Sequence, residues 1–153
     1  MRFIYISAAL ILLSCQIGAA AFADDAMERG SRKLAGPDAI DCGRVGIYKD
    51  PKSATDCALS AFNGNKPFRV LYDFWNIDSA VAAGVLRTPA GKVYGVIFDS
   101  AGMRNSSEEE LRYFIATPCP DPVHVFVTKN GHLNCFPPTK TNGTLMSSDF
   151  FFY

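Results

Sequence analysis

Residues 50–64 carry the apolar spacing of an amphipathic helix. The apolar positions that share one helical face are Ala54, Cys57, Ala58, Ala61 and Phe62. Asp50 is able to cap the first free N–H groups, and Pro51 suits the first helical position. Asn63-Gly64 provides a left-handed stop. The pattern predicts one helix, and its mostly small face is expected to lie close on a sheet.

The period then changes from helical to alternating, which predicts strands. The alternating apolar residues of the first strand are Phe68, Val70, Tyr72 and Phe74. Segments 81–87 and 92–98 form the clearest hairpin, because Pro89 presets the bend and Gly91 takes positive φ without steric cost. Both faces of this hairpin are apolar, so it is expected to be central and covered on both sides.

A second hairpin is predicted near the end of the chain. Segments 123–128 and 132–136 flank Asn130-Gly131, a strong short hairpin signal. A two-residue closure would pair Phe126 with Cys135 and Thr128 with Leu133.

Residues 103–117 give conflicting signals. Ser106 and Glu109 have the spacing of a capping box, whereas residues 113–117 have strand chemistry. The prediction favours a short helix that ends before Pro118.

Together these elements predict an α+β fold of two layers, with one or two helices on an antiparallel sheet of about five strands. The ordered domain is expected over residues 41–138. Residues 24–40 are polar and predict a flexible, irregular leader. Residues 139–153 form a C-terminal tail ending in Phe150 to Tyr153, which is expected to dock on the domain because four free aromatics are unfavourable in water.

Residues 1–23 have the layout of a secretory signal peptide. Arg2 precedes an apolar run over 3–13, and Ala21-Phe22-Ala23 places small residues where a signal peptidase cuts. The run is too short to span a bilayer. An exported protein is therefore expected, in the periplasm, on the outer membrane or secreted.

An alternative export route remains open. Leu12-Leu13-Ser14-Cys15 resembles a lipobox, in which Cys15 is acylated and becomes the mature N-terminus. A lipid anchor at Cys15 is the only membrane attachment that the sequence predicts, because no apolar run in it is long enough to span a bilayer.

Charge and length exclude some classes of protein. Removing 23 of the 153 residues leaves 130, which suits one domain with its own core. Arg2 leaves with the signal, so 14 basic residues face 15 acidic ones and the net charge is near −1. No basic stripe favours nucleic acid as a partner.

Four cysteines remain in the predicted domain: Cys42, Cys57, Cys119 and Cys135. An even number in an exported chain predicts two disulfides, and three connectivities are open. Cys42–Cys57 with Cys119–Cys135 is favoured because both close short loops, each stabilising by about 3 kcal/mol on the chain-entropy argument. One bridge with two buried thiols is the alternative.

Catalytic and metal motifs are weak. Strand alternation places His124 and His132 on opposite faces of their hairpin, which argues against a shared metal. No Gly-x-Ser-x-Gly elbow is present, and the cysteines are assigned to disulfides. No cofactor is predicted.

An acidic trio is the best candidate for chemistry. Asp73, Asp78 and Asp99 lie at or just beyond the ends of predicted strands. Gathered at one end of the sheet, they would suit acid–base catalysis or a hard cation. Capping of turns is the favoured alternative, because aspartate at a strand end often bonds its own backbone.

Two aromatic residues, Tyr72 and Trp75, are candidates for a ligand face. Large aromatics on a sheet more often belong to the core, so both alternatives stay open. Trp75 joins Asp73, Asp78 and Asp99 as a candidate binding residue.

Several landmarks resemble small exported bacterial proteins of unknown function. The resemblance covers residues 42–137 and rests on Asp56-Cys57-Ala58-Leu59, Lys66-Pro67-Phe68-Arg69-Val70, Asp78-Ser79, Gly91-Lys92-Val93-Tyr94, Cys119-Pro120 and Cys135-Phe136-Pro137. It implies export and a disulfide-bearing domain, and it implies no catalytic residues.

Two functions are compatible with these patterns. The favoured one is a non-enzymatic envelope or secreted protein that binds a protein partner, as an inhibitor or an assembly accessory. The alternative is a small exported hydrolase or metal-dependent enzyme that uses the acidic trio.

The signal layout generates a prediction about processing. The native product should begin at Asp24 or at an acylated Cys15, and its intact mass distinguishes the two. A cytosolic product that retains Met1 would contradict export.

Overall fold

The computed structural model describes residues 26–77, 80–100 and 114–137. Its elements in chain order are α1 (Ala26–Ala35), β1 (Ile40–Val45), α2 (Lys52–Asn63), β2 (Phe68–Phe74), β3 (Val81–Arg87), β4 (Val93–Asp99), β5 (Phe114–Pro118), β6 (Phe126–Val127) and β7 (Leu133–Asn134). Strands β1 to β5 form one sheet in sequence order, and β6 pairs with β7 separately. The signal peptide, Cys15, Asp78 and the aromatic C-terminus lie outside the described residues.

The α+β class is confirmed, with two helices on a five-stranded sheet and two disulfides. The sheet is mixed rather than wholly antiparallel, because β1 runs parallel to β2. Two of the strands predicted for the sheet instead form the separate β6–β7 hairpin. Their places in the sheet are taken by β1 and β5, which the alternating pattern did not reveal.

Strand β2 separates two apolar clusters. Phe68, Val70 and Tyr72 join the cluster that contains Ala58 and Ala61 of α2, together with the disulfide Cys119–Cys135. Leu71 points to the other face and joins a cluster that contains Met27 of α1. The helices therefore cover opposite faces of the sheet, so the prediction of two layers was wrong.

The predicted irregular leader was wrong over Ala26–Ala35, which form α1. Ala26, Met27 and Ala35 are buried, and Gly30 lies under the ring of Phe114. A Cβ at Gly30 would stand 2.6 Å from a ring carbon, so only glycine permits this approach. The buried face of α1 includes Gly30 and Ser31 and so lacks a recognisable apolar stripe, which is why this helix was not predicted.

A buried guanidinium connects α1, β1 and β2. Arg69 of β2 is 3% exposed and forms ion pairs with Glu28 of α1 and Asp41 of β1. Its Nη1 also lies 3.4 Å from the Ser31 hydroxyl. The charge is thus removed from water with two carboxylates around it.

Helix α2 was predicted correctly, with differences at both ends. Asp50 Oδ1 accepts a hydrogen bond from Lys52 N at 2.9 Å, while Pro51 precedes the first helical residue. Gly64 has a φ of −78°, and the left-handed residue after the helix is Asn65, with a φ of 55°. Asparagine tolerates that conformation because its short polar side chain bonds locally.

The β3–β4 hairpin is confirmed and is covered on both faces. Thr88 N donates to Lys92 O at 2.9 Å, and Gly91 has a φ of 80°. Residues 89–91 therefore form a three-residue loop that ends on a left-handed glycine.

The second hairpin exists, but its predicted register was wrong. Phe126 pairs with Asn134 and Val127 with Leu133. Thr128 N donates to His132 O at 2.8 Å, and Gly131 has a φ of 83°. Gly131 thus ends a three-residue loop, as Gly91 does, so the two-residue closure was the mistaken step.

The helix predicted before Pro118 was wrong for its last residues. Phe114–Pro118 form strand β5, which pairs with β4 from Tyr94 to Phe98. Residues 101–113 lie outside the described part of the chain. The strand chemistry of Phe114 and Ile115 prevailed because β4 supplies a hydrogen-bonding partner.

Both predicted disulfides are confirmed, each with a Cα–Cα distance of 5.6 Å. Cys42–Cys57 ties β1 to α2, and Cys119–Cys135 ties the residue after β5 to the residue after β7. No helix in the described ranges is long and apolar enough to cross a membrane.

The buried ion pair generates a prediction. Arg69→Met should lower the free energy of unfolding by about 3 kcal/mol, because Glu28 stays buried and loses the guanidinium that pairs with it. Arg69→Met with Glu28→Met should recover most of that loss. Urea denaturation measures both, with Lys33→Ala, an exposed residue of the same helix, as a surface control that changes stability by less than about 0.5 kcal/mol. A loss for Arg69→Met no larger than the control's would contradict the role of this pair.

Candidate functional site

The two described members of the acidic trio lie on opposite faces of the sheet. Asp73 shares a row with Ala82 and Phe98, whereas Asp99 shares the next row with Val81 and Phe74. Successive residues of a strand point to opposite faces, and β3 separates the strands that carry the two aspartates. The structure does not bring Asp73 and Asp99 together, and Asp78 lies outside the described residues.

Asp73 forms an ion pair across β1 and β2. Its Oδ1 lies 2.7 Å from both Nη2 and Nε of Arg44. The pair is partly buried on the face that carries α1. The turn-capping role predicted for Asp73 was therefore wrong, because its carboxylate is occupied by a guanidinium of the neighbouring strand. Across residues 26–77, 80–100 and 114–137, no three His, Cys, Asp or Glu side chains gather in a way that could hold a metal ion.

Tyr72 belongs to the core, not to a ligand face. Leu133 N donates to its hydroxyl at 3.0 Å, and the hydroxyl lies 2.9 Å from Thr55 Oγ1. Thr55 in turn donates to Gly131 O at 2.7 Å. Burial raises the pKa of Tyr72 above its ordinary value, so the phenol stays neutral. This chain of hydrogen bonds holds the β6–β7 hairpin against α2 and β2.

His132 packs on the same face. Its ring stacks on Tyr72 with centroids 4.4 Å apart and meets the edge of Phe74 at 5.2 Å. Burial lowers the pKa of His132, because the charged imidazolium loses hydration there. His124, by contrast, is exposed.

One end of the sheet carries large exposed apolar side chains. Strands β1 and β2 are parallel, so the residues that follow them emerge at the same end. Tyr48 is 91% exposed, Trp75 64% and Ile77 84%, and Ile47 is exposed beside Tyr48. We call this set, Ile47, Tyr48, Trp75 and Ile77, the aromatic end of the sheet.

Of these four residues, sequence reasoning had singled out only Trp75. Its alternative assignment to the core was wrong, because the strand ends at Phe74 and Trp75 lies beyond it. Ile47 and Tyr48 were missed because the parallel strand β1 was not predicted. A signal was present in the bulky pair between Gly46 and the helix cap at Asp50, where a short turn usually carries small polar residues.

Tyr48 has an unfavourable backbone conformation. Lys49 N donates to Gly46 O at 3.1 Å, which closes a turn with Tyr48 at its third position. The φ of Tyr48 is 62°, in the left-handed region that favours glycine or asparagine. A bulky residue there costs about 1–2 kcal/mol. The tyrosine side chain is almost wholly in water, so its own burial does not offset this cost.

The turn that presents Tyr48 is held on both sides. Before it, Val45 pairs with Tyr72 in the sheet. After it, Asp50 accepts from Lys52 N at the start of α2. Cys42–Cys57 joins the two flanking elements covalently. The turn therefore has little freedom to change the direction in which Tyr48 points.

No protein-family model, curated protein or solved structure matches this chain.

The packing of His132 generates a prediction about pH. Because the folded pKa lies below the unfolded value, the unfolded state binds a proton first as pH falls. The contribution of neutral His132 to the free energy of unfolding is therefore complete above about pH 6.5. It declines as pH falls from there through the folded pKa. His132→Phe should keep the ring packing and show a smaller loss of stability between pH 7.5 and 5.0, measured by urea denaturation. His124→Phe is the exposed control and should follow the wild type, whereas equal losses in all three proteins would contradict the assignment.

Proposed function

We propose that this chain is an exported, non-enzymatic protein that binds a protein partner through the aromatic end of the sheet. The observation that carries the proposal is Tyr48, a tyrosine that is 91% exposed and has a φ of 62°. The two disulfides suit an oxidising compartment. The resemblance to small exported bacterial proteins fits the same proposal.

A role in binding accounts for the exposed and strained Tyr48, which the stability of the fold does not explain. Tyrosine and tryptophan are the side chains most enriched where single residues dominate the affinity of an interface. Each offers a large contact area with few rotatable bonds, so little conformational entropy is lost on binding. A strained, exposed tyrosine in a restrained turn is a side chain presented outward at some cost to the fold.

The surroundings favour a protein as the partner. Lys49 and Asp50 are exposed next to Tyr48 in the chain, so charged side chains of both signs border this aromatic residue. This is the usual composition of a protein interface, with an aromatic centre and a polar margin. The alternative of an aspartate-based enzyme has less support, since Asp73 is paired with Arg44 and Asp99 faces the other side of the sheet.

Photochemical crosslinking in the native host tests the proposal. Replacing Ile77 by benzoylphenylalanine should give a discrete adduct with another envelope or secreted protein, identified by mass spectrometry. The same probe at Ile115, an exposed apolar residue of the edge strand β5, is the matched control and should not give that adduct. An adduct equally strong from both positions, or one made of two copies of this chain, would overturn the proposal.

Tyr48→Gly should separate stability from binding. Glycine removes the left-handed strain at the cost of a more flexible unfolded chain, so the free energy of unfolding should rise by about 0.5–1 kcal/mol. The adduct from position 77 should fall at least tenfold in the same variant, because the main anchor is lost. Ile115→Thr is the control and should leave the adduct unchanged. Lower stability with full crosslinking would show that Tyr48 serves the fold instead.

A further inference from the structure

The two disulfides lie in different environments. Cys119 and Cys135 are 7% and 3% exposed and belong to the cluster between the sheet and α2. Cys42 lies on the edge strand β1 and Cys57 on α2, and both are only partly buried. A thiol in solution can therefore approach one bridge and not the other.

We propose that Cys42–Cys57 is a reducible site in the folded protein, a substrate for a dithiol such as an exported dithiol oxidoreductase, and that its reduction releases the turn that presents Tyr48. The reduction step stands on the burial of the two bridges alone. Its consequence for binding rests on the proposed function.

The chemistry is ordinary thiol–disulfide exchange. A thiolate of the dithiol attacks one sulfur of the bridge, forms a mixed disulfide and expels the other cysteine as a thiolate. The second thiol of the reductant then attacks the reductant's sulfur in the mixed disulfide. This step forms a disulfide within the reductant and releases the second cysteine as a thiolate. The dithiol loses two electrons and two protons, and Cys42 and Cys57 become thiols.

Local charge does not oppose the approach of a thiolate strongly. An aspartate directly precedes each cysteine along the chain, and each aspartate has a cation beside it. Asp41 pairs with Arg69, and Asp56 pairs with Lys52. The repulsion that two bare carboxylates would exert on an anionic nucleophile is thus reduced.

The fold retains its other contacts when this bridge opens. Helix α2 is still held by the buried Ala58 and Ala61 and by the hydrogen bonds of Thr55 to Tyr72 and Gly131. Strand β1 is still paired with β2 and still joined to it through Arg69–Asp41 and Arg44–Asp73. Reduction should therefore free the connection between β1 and α2 without unfolding the domain.

Tyr48 is the residue most affected by that freedom. A bulky residue keeps a left-handed φ only while its surroundings over-determine the backbone. Cys42–Cys57 closes the loop that contains Tyr48, and without it the turn is able to relax to a favourable φ. The tyrosine would then lose its fixed direction and a partner would bind it less tightly.

Alkylation of the folded protein tests the reducible site. The purified native protein is treated with dithiothreitol without denaturant, quenched with iodoacetamide and mapped by mass spectrometry. Cys42 and Cys57 should be labelled at least tenfold faster than Cys119 and Cys135, while the circular dichroism spectrum stays that of the folded protein. Equal rates, a reversed order, or loss of the folded spectrum along with labelling would overturn the proposal.

The crosslinking probe at position 77 tests the consequence. Dithiothreitol should lower the adduct at least fivefold in the wild type and should have no further effect on Cys42→Ser with Cys57→Ser, whose adduct is already low. An adduct that is present and insensitive to reduction would overturn the switch and leave the proposed function standing. No adduct from the oxidised protein would overturn the proposed function, while the alkylation order would still decide the reducible site.

Discussion

The buried guanidinium of Arg69 determines how the rest of the molecule is arranged. A charge taken out of water is costly unless hydrogen-bonded opposite charges surround it. Glu28 and Asp41 meet that requirement, and they come from two different elements. Placing α1 or β1 elsewhere would leave the guanidinium with half of its counter-charge. The interaction therefore contributes more to the choice of one arrangement than to net stability.

That arrangement leads directly to the aromatic end of the sheet. Because Asp41 must reach Arg69, β1 lies beside β2, and it does so in parallel. The turn that follows β1 then emerges beside the chain that follows β2. Two connections that are distant in sequence thus present Tyr48 and Trp75 at one end of the fold. A buried charge on one strand and an exposed aromatic surface beyond it are consequences of the same pairing.

Local patterns in the sequence were enough for α2, strands β2 to β4 and both disulfides. Each depends on residues close together in the chain. The signals are helical spacing, strict alternation, a turn that contains Pro89 and Gly91, and two cysteines separated by a short loop. Helix α1 and strand β5 were not predictable in this way. The burial of Gly30 against Phe114 and the pairing of β5 with β4 join segments far apart in sequence. The predicted register of the last hairpin was wrong for a different reason. Asn-Gly suits a two-residue turn, whereas Gly131 closes a three-residue loop here.

The candidate site was predictable only in part, and strand parity explains why. Three aspartates near strand ends suggested a cluster, but a carboxylate joins another across a sheet only when both occupy rows that face the same side. Asp73 and Asp99 differ by one row, which places them on opposite faces. Strand alternation does not determine the direction of Trp75, because this residue lies beyond Phe74, the last paired residue of β2. The end of the sheet is thus the place where a large aromatic side chain is able to stay in water. Tyr48, just beyond the parallel strand, is exposed for the same reason.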